Sequence, residues 1–334
     1  MTAIDVKGWV EKDGNRLSIN EIEELIRTGP EQFSECGGEF LVRWDDCAAR
    51  DHWGIMPGEI DAGTVTCKGN IMCRVDPPAD ASSLEEAIVT AVRLRSDEGV
   101  TALSGGVDST LVAAIAERPC VAVGVEDSHD LVRARHAAEA LHLSCDYVTI
   151  KPDAVEEALA AVIPVIPARD PVNISIAATM YFVASYAREN GYTRILAGQG
   201  ADELFGGYSR YLVSTDLAAT FAEDFKGLAL QGARDQAVAG LFGAYLSMPY
   251  LDVRVVRAAE AISPSDRVSG GIRKKPLREV AARYIPAEIA DYDKKAMQYG
   301  TGVWKVIQHL ARHNGYNKSV QGYLNHVGRL HDGA

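Results

Sequence analysis

The sequence predicts an α/β fold: a parallel sheet with flanking helices, a helical C-terminal part, and a small, mainly-β N-terminal domain ahead of both. Three observations carry this. From residue 84 onward, short apolar runs alternate with helical patterns, which implies βαβ units and a parallel sheet. After residue 203 the periodicity is mostly helical to the end. Before residue 76 the chain is rich in turns and short strand patterns.

Residues 20–28 form an amphipathic pattern with Ile22, Leu25 and Ile26 on one face. Glu39-Phe-Leu-Val-Arg-Trp44 alternates, and Gly63-Thr-Val-Thr-Cys67 reads as a second strand. Pro77-Pro78 and Ser82-Ser83 punctuate the chain, and Ser83-Leu-Glu-Glu86 resembles a capping box. A boundary near 76–82 therefore divides the chain into domains 1–76 and 82–330. Helix 84–96 leads into strand 99–103, then helix 108–117, strand 120–125, helix 129–142 and strand 145–150. Helices near 153–163 and 174–190 precede strand 194–198.

A chain of 334 residues favours two domains and buries a sizeable core. The net charge of −12 repels nucleic acid and anionic membrane, so neither is expected as a partner. The only tight basic clusters, at 273–278 and 294–295, are short. No apolar run approaches the roughly 20 residues of a membrane span. The N-terminus lacks the pattern of a signal peptide, so a cytoplasmic location is expected. The six cysteines (Cys36, Cys47, Cys67, Cys73, Cys120, Cys145) read as small buried hydrophobes. Cys67 and Cys73 are the only close pair, and nothing nearby completes a metal site.

Strand 99–103 runs into Ser104-Gly-Gly-Val-Asp-Ser-Thr110, which opens a helix. Gly105 and Gly106 let the backbone approach a ligand closely. The N–H groups and positive pole of the helix start attract phosphate oxygens. Ser104, Ser109 and Thr110 add hydroxyl donors. Asp108 would repel bare phosphate, so its role there is to hold a bridging Mg²⁺. An ordinary strand–turn–helix capped by Asp108 or Ser109 is the bland alternative. The loop lacks both the Walker A and the Gly-x-Gly-x-x-Gly pattern. It resembles the PP-loop of the ATP pyrophosphatase superfamily, which implies cleavage of ATP between its α and β phosphates.

Strand 194–198 ends in Gly198-Gln-Gly-Ala-Asp-Glu-Leu-Phe-Gly-Gly-Tyr208, an acidic glycine-rich turn where open parallel sheets bind ligands. Asp202 is a candidate second Mg²⁺ ligand. With this motif, Pro249-Tyr-Leu-Asp252, Lys275-Pro-Leu-Arg278 and Lys294-Lys-Ala-Met-Gln-Tyr-Gly-Thr-Gly302, residues 99–305 resemble the synthetase domain of the asparagine synthetase family. The resemblance implies that Leu103 and Val123 flank adenine, with Gly198 at the nucleotide. It implies that Ser104 through Thr110 hold pyrophosphate, that Asp108 and Asp202 hold Mg²⁺, and that Tyr208 and Asp252 lie near the acceptor. Lys294, placed by its spacing to Gly300 and Gly302, would stabilise charge on the acyl-adenylate, with Lys295 the alternative.

The chain departs from that family at the acceptor. Gln199 stands where a base is usual, and Gln takes no proton at neutral pH. Ala197 replaces Ser, and Tyr292 replaces Arg. Residues 37–57 resemble part of a class II glutaminase domain, but residue 2 is Thr rather than the nucleophilic Cys. Segment 1–75 therefore reads as a truncated, structural remnant. The expected protein is a Mg²⁺-dependent, ATP-using carbon–nitrogen ligase that adenylates a carboxylate and passes the acyl group to an amine or ammonia, without glutaminase activity. Two alternatives stand beside it: a PP-loop enzyme that modifies a tRNA nucleobase, and a nucleotide-binding pseudoenzyme acting as a regulator or partner subunit. A homodimer rests on family analogy alone.

Overall fold

The computed structural model describes residues 4–79, 83–292 and 297–331. Thr2, residues 80–82 of the expected boundary, and Lys294 with Lys295 lie outside the described residues. In chain order the first elements are β1 Asp5–Lys12, β2 Asn15–Arg16, α1 Ile19–Thr28, β3 Gly37–Trp44, β4 Cys47–Arg50, β5 Thr64–Cys67, β6 Asn70–Arg74 and α2 Leu84–Arg93. Next come β7 Val100–Ala102, α3 Val107–Ala116, β8 Cys120–Gly124, α4 His129–Ala140, β9 Cys145–Thr149, α5 Pro152–Val162, α6 Pro171–Glu189 and β10 Arg194–Leu196. The remainder is α7 Ala201–Phe205, α8 Leu217–Gly240, β11 Tyr245–Ser247, α9 Val253–Glu260, α10 Pro264–Arg267, α11 Lys275–Ala281, α12 Ala287–Ala290, α13 Met297–Gly300, α14 Val303–His313 and α15 Val320–His331. No described helix is long and apolar enough to cross a membrane.

By contact the chain forms two compact units that interleave along the sequence. Unit 1 is Met1–Asp97, Gln199–Phe225 and Ser247–Arg273, and unit 2 is Glu98–Gly198, Lys226–Leu246 and Lys274–Ala334. This division by contact differs from the division into 1–76 and 82–330, which follows motifs along the chain.

Unit 1 holds an antiparallel sheet in the order β2-β1-β3-β4-β5-β6. Its core packs Phe33 against Phe40 and stacks it on Trp44 at 5.3 Å between ring centroids. Ser18 and Glu21 close a capping box on α1. Glu39 points from β3 into the interior and is fully buried. Four donors satisfy it: Arg95 Nε at 2.8 Å, Ser247 Oγ at 2.6 Å, the Met248 amide at 2.9 Å and Trp9 Nε1 at 3.4 Å. A buried carboxylate without such donors would cost several kcal/mol, on the order of the penalty for an unpaired buried ion. The sheet is thus tied to segment 247–252 by charge-assisted hydrogen bonds.

One cysteine expectation is overturned here. Cys47 and Cys67 form a disulfide rather than standing as separate buried hydrophobes. They lie directly opposite each other in the β4–β5 register. Sequence spacing drew attention to Cys67 with Cys73 instead, but Cys73 lies opposite Val65 in the β5–β6 register. Cys36 and Cys120 fit the original reading. Both are buried, and burial pushes each thiol up to about 12.

Unit 2 holds the second sheet, in the order β11-β10-β7-β8-β9, parallel across β10, β7, β8 and β9. Leu103, Ala113, Cys120, Ala122, Leu131, Ala134 and Ala138 pack α3 and α4 onto this sheet. The small alanines let both helices approach closely. β7 delivers the chain to the start of α3, where the glycine loop lies.

Candidate functional site

The loop between β7 and α3 is braced by its own serines. Ser109 Oγ accepts from the Ser104 amide at 3.1 Å, pairs with Ser104 Oγ at 2.9 Å and reaches the Gly106 carbonyl at 3.4 Å. Gly106 is the N-cap of α3, and no side chain caps it. The first amides of that helix are therefore left for another acceptor. Gly105 has φ of +74°, and a Cβ there would stand 2.3 Å from the Arg133 carbonyl carbon. Only glycine lets this loop lie flat against α4.

Asp108, in the first turn of α3, is 8% exposed. Lys274 Nζ donates to both of its carboxylate oxygens, at 2.8 and 2.6 Å. Lys274 is itself 7% exposed and holds a left-handed backbone, φ 57°, as the N-cap of α11. A buried ammonium thus stands where the loop carries its one acidic group. Gly198 also packs on this helix start: a Cβ there would meet Asp108 Cβ at 3.0 Å and the Ser109 amide at 3.1 Å. Leu103 and Val123 are buried at the ends of their strands, and Thr110 is fully buried. The Thr110 hydroxyl has no hydrogen-bond partner among the described residues.

The remaining predicted residues belong to unit 1. Gln199 is half-buried. Gly200 and Gly206 bracket α7 in left-handed conformations. A side chain at Gly200 would strike Leu251 at 2.7 Å. Asp202 and Glu203 sit in the first turn of α7, suited to its positive pole. The Tyr208 hydroxyl donates to Glu203 Oε1 at 2.5 Å, and Arg210 lies over the Tyr208 ring at 4.1 Å. Burial, with the charges of Glu203 and Asp202, pushes the Tyr208 phenol far above its usual range. Tyr208 is therefore a fixed donor and not a base. Asp252 accepts from Arg95 at 2.9 Å, from Arg254 Nη1 at 3.0 Å and from the Arg254 amide at 3.1 Å, capping α9. Its carboxylate is engaged on every side by its own unit.

Sequence reasoning singled out Lys275-Pro-Leu-Arg278 and passed over Lys274. The available signal was Pro276, which marks a helix start one residue past the lysine pair. Arg278 instead donates to the carbonyls of Ala290 and Tyr292, holding the chain after α12. Tyr292 hydrogen-bonds His129, and Arg133 lies 3.5 Å over its ring.

Among the described residues no group of three or more His, Cys, Asp or Glu side chains is placed to hold a metal. A Mg²⁺ shared with nucleotide phosphates needs only one or two protein carboxylates. Asp108, at a phosphate-ready helix start, fits that requirement.

With this geometry in hand, comparison with known proteins is decisive about family. The asparagine synthase family matches residues 83–243 and 231–326. The chain belongs to the asparagine synthase family. A Methanocaldococcus jannaschii protein provisionally named asparagine synthetase [glutamine-hydrolyzing] 1 is 32% identical over 279 residues, which cover 71% of this chain and 51% of that one. Escherichia coli asparagine synthetase B [glutamine-hydrolyzing] is 29% identical over 259 residues, 68% of this chain and 46% of the other. The chain spans about half the length of these curated relatives. Among solved structures, the NMN synthetase of Francisella tularensis matches 65% of this chain and 100% of its own, at 15% identity and a TM-score of 0.30. So low a score carries no argument.

Proposed function

We propose that this member of the asparagine synthase family is a Mg²⁺-dependent, ATP-using ligase that adenylates a carboxylate and transfers the acyl group to an amine or ammonia. The observation that carries the reading is the buried Asp108–Lys274 pair at the amide-rich start of α3. The pair puts one anion and one cation where a metal-bound triphosphate needs both.

In the first step a substrate carboxylate oxygen attacks the α-phosphorus of ATP. The bond to the β-phosphate bridging oxygen breaks, and pyrophosphate leaves. Ser104 through Thr110 receive the leaving group with amides and hydroxyls, and Lys274 offsets its charge. Asp108, with Asp202, would hold Mg²⁺, which neutralises the phosphate oxygens when bound. Leu103, Val123 and Gly198 line the nucleotide. In the second step the amine nitrogen attacks the acyl carbon, AMP departs on its carboxylate-derived oxygen, and the nitrogen loses a proton. Lys294 is assigned the charge on the acyl-adenylate. Gln199 orients the acceptor by hydrogen bonds, since it cannot take the proton. Tyr208 and Asp252 shape the acceptor side through the structure they support. Segment 1–76 is a structural domain without glutaminase chemistry.

The test is incubation of the full chain with ATP, Mg²⁺ and a panel of carboxylates, with and without ammonia. AMP and pyrophosphate in equal amounts are expected, and glutamine is expected to yield no glutamate. Release of ADP and phosphate, or no turnover with any carboxylate, sinks the reading.

A further inference from the structure

Unit 1 encloses a small cavity of about 20 Å³, bounded by β1, the start of β3, residues 52–53 and 77–78, and the segment that opens α9. Glu11 reaches it from β1 and is 2% exposed. Its two carboxylate oxygens are served unequally. Oε1 accepts from the Gly14 amide at 2.9 Å and from Arg254 Nη2. Oε2 is closed from solvent and has no hydrogen-bond partner among the described residues. Gly37, directly opposite Glu11 in the β1–β3 register, lines the same cavity. A Cβ at Gly37 would stand 2.7 Å from Oε2, so the missing side chain leaves the gap beside that oxygen. Pro77 and Pro78 complete this wall and have no N–H to offer it.

Trp53 lines the cavity as well, and its Nε1 is likewise closed from solvent without a partner among the described residues. His52 and Phe225 hold the indole edge-on, at 4.4 and 5.2 Å between ring centroids. An indole N–H only donates, and an ionised carboxylate oxygen only accepts. One cavity thus brings together a donor that needs an acceptor and an acceptor that needs a donor. The charges on its wall balance. The Glu11 and Asp252 carboxylates stand against the Arg95 and Arg254 guanidiniums, and these four already pair with one another.

We propose that this cavity binds one internal water molecule, which donates to Glu11 Oε2 and accepts from Trp53 Nε1. The size agrees, since a water needs about 10–15 Å³ of such space and at least two polar partners. A cation would serve Glu11, but it would leave the indole N–H unpaired and face two guanidiniums. An anion would serve Trp53 and face two carboxylates. Only a neutral molecule that both donates and accepts meets every group on the wall. The water joins β1 to the loop after β4, whose turn Asp51 closes by accepting the amides of Ile55 and Met56. It is a ligand of the N-terminal sheet, bound whether or not the chain turns over ATP.

The experiment is NMR of the full chain carrying ¹⁵N-labelled tryptophan, with the Trp53 indole signal assigned by its loss in Trp53→Phe. A cross-peak from the Trp53 Nε1 proton to water is expected, with opposite signs in the NOE and ROE spectra, the mark of a water that tumbles with the protein. Gly37→Ala places a Cβ in the gap beside Glu11 Oε2 and should abolish that cross-peak. Should Gly37→Ala fail to melt cooperatively, a crystal structure of the unsubstituted chain serves instead, with one density peak expected within hydrogen-bond distance of both Glu11 Oε2 and Trp53 Nε1. Three outcomes overturn the proposal: no water cross-peak at Trp53 Nε1, an unchanged cross-peak in a folded Gly37→Ala protein, or loss of the cross-peak on adding ammonium or potassium chloride. The last would show that a cation takes the cavity.

Discussion

Lys274 and Asp108 form a buried two-point ion pair, with the ammonium 2.8 and 2.6 Å from the two carboxylate oxygens. Replacing Lys274 with Met removes the ammonium from both carboxylate oxygens of Asp108 in a nearly closed site. Breaking such a pair costs about 3–5 kcal/mol. Losing a preplaced cation from the leaving group costs roughly 100-fold or more in rate. A lowered melting temperature and a pyrophosphate-release rate down by that factor are expected, with Lys274→Arg recovering stability better than rate. Wild-type pyrophosphate release from a folded Lys274→Met protein would remove Lys274 from the site.

Gly105→Ala tests the seating of the loop on α4. The added Cβ has to fit within 2.3 Å of the Arg133 carbonyl carbon in a left-handed conformation. Overpacking costs about 1–3 kcal/mol, and the left-handed backbone adds about 1–2 kcal/mol for a non-glycine residue. Urea unfolding should show a midpoint lowered accordingly. An unchanged midpoint would mean that the loop does not pack on α4 as described.

Glu39→Gln removes the charge that Arg95 and three other donors share in unit 1. Arg95 is almost fully buried and loses the charge of one of its two carboxylate partners, Glu39, while Asp252 stays. A loss of about 3–5 kcal/mol is expected from breaking a buried pair. Chemical denaturation reads it, and a loss below 1 kcal/mol would show the network to be solvated.

Asp51 supplies a pH signature. It is 1% exposed and accepts the amides of Ile55 at 2.8 Å and Met56 at 2.9 Å. Burial outweighs those bonds and raises its carboxyl from 3.8 to about 7, with the Glu39 charge adding to the rise. The folded state therefore keeps a proton that the unfolded chain releases near pH 4. This group's contribution is complete below about pH 4 and is lost as pH rises toward about 7. Asp51→Asn should flatten the fall in unfolding free energy between about pH 4 and about pH 7, the interval set by that rise. Parallel curves for the two proteins would refute the shift.

The Cys47–Cys67 bridge is checked by alkylation of the unfolded chain without reductant. Iodoacetamide should label Cys36, Cys73, Cys120 and Cys145 only. Peptide mapping that finds Cys47 or Cys67 labelled would show the bond absent in solution.

Much of unit 2 was legible in the sequence because its signals are local. Periodicity and glycine placement located α3 through α6 and β7 through β10 to within a few residues. The loop at 104–110 announced itself by glycines and hydroxyls between a strand and a helix. The two residues of β2 are too few to show a period.

The sequence by itself determined the strand–glycine–helix unit, its acidic residue Asp108 and the separate motifs of the family pattern, because each of these lies within a dozen neighbouring positions. Tertiary structure alone decided which groups meet across long separations. It set Lys274 on Asp108, 166 positions away, and Ser247 on Glu39, 208 positions away. It also paired Cys47 with Cys67 through strand register. Side-chain periodicity encodes which face of an element is buried, but not which distant face it is buried against.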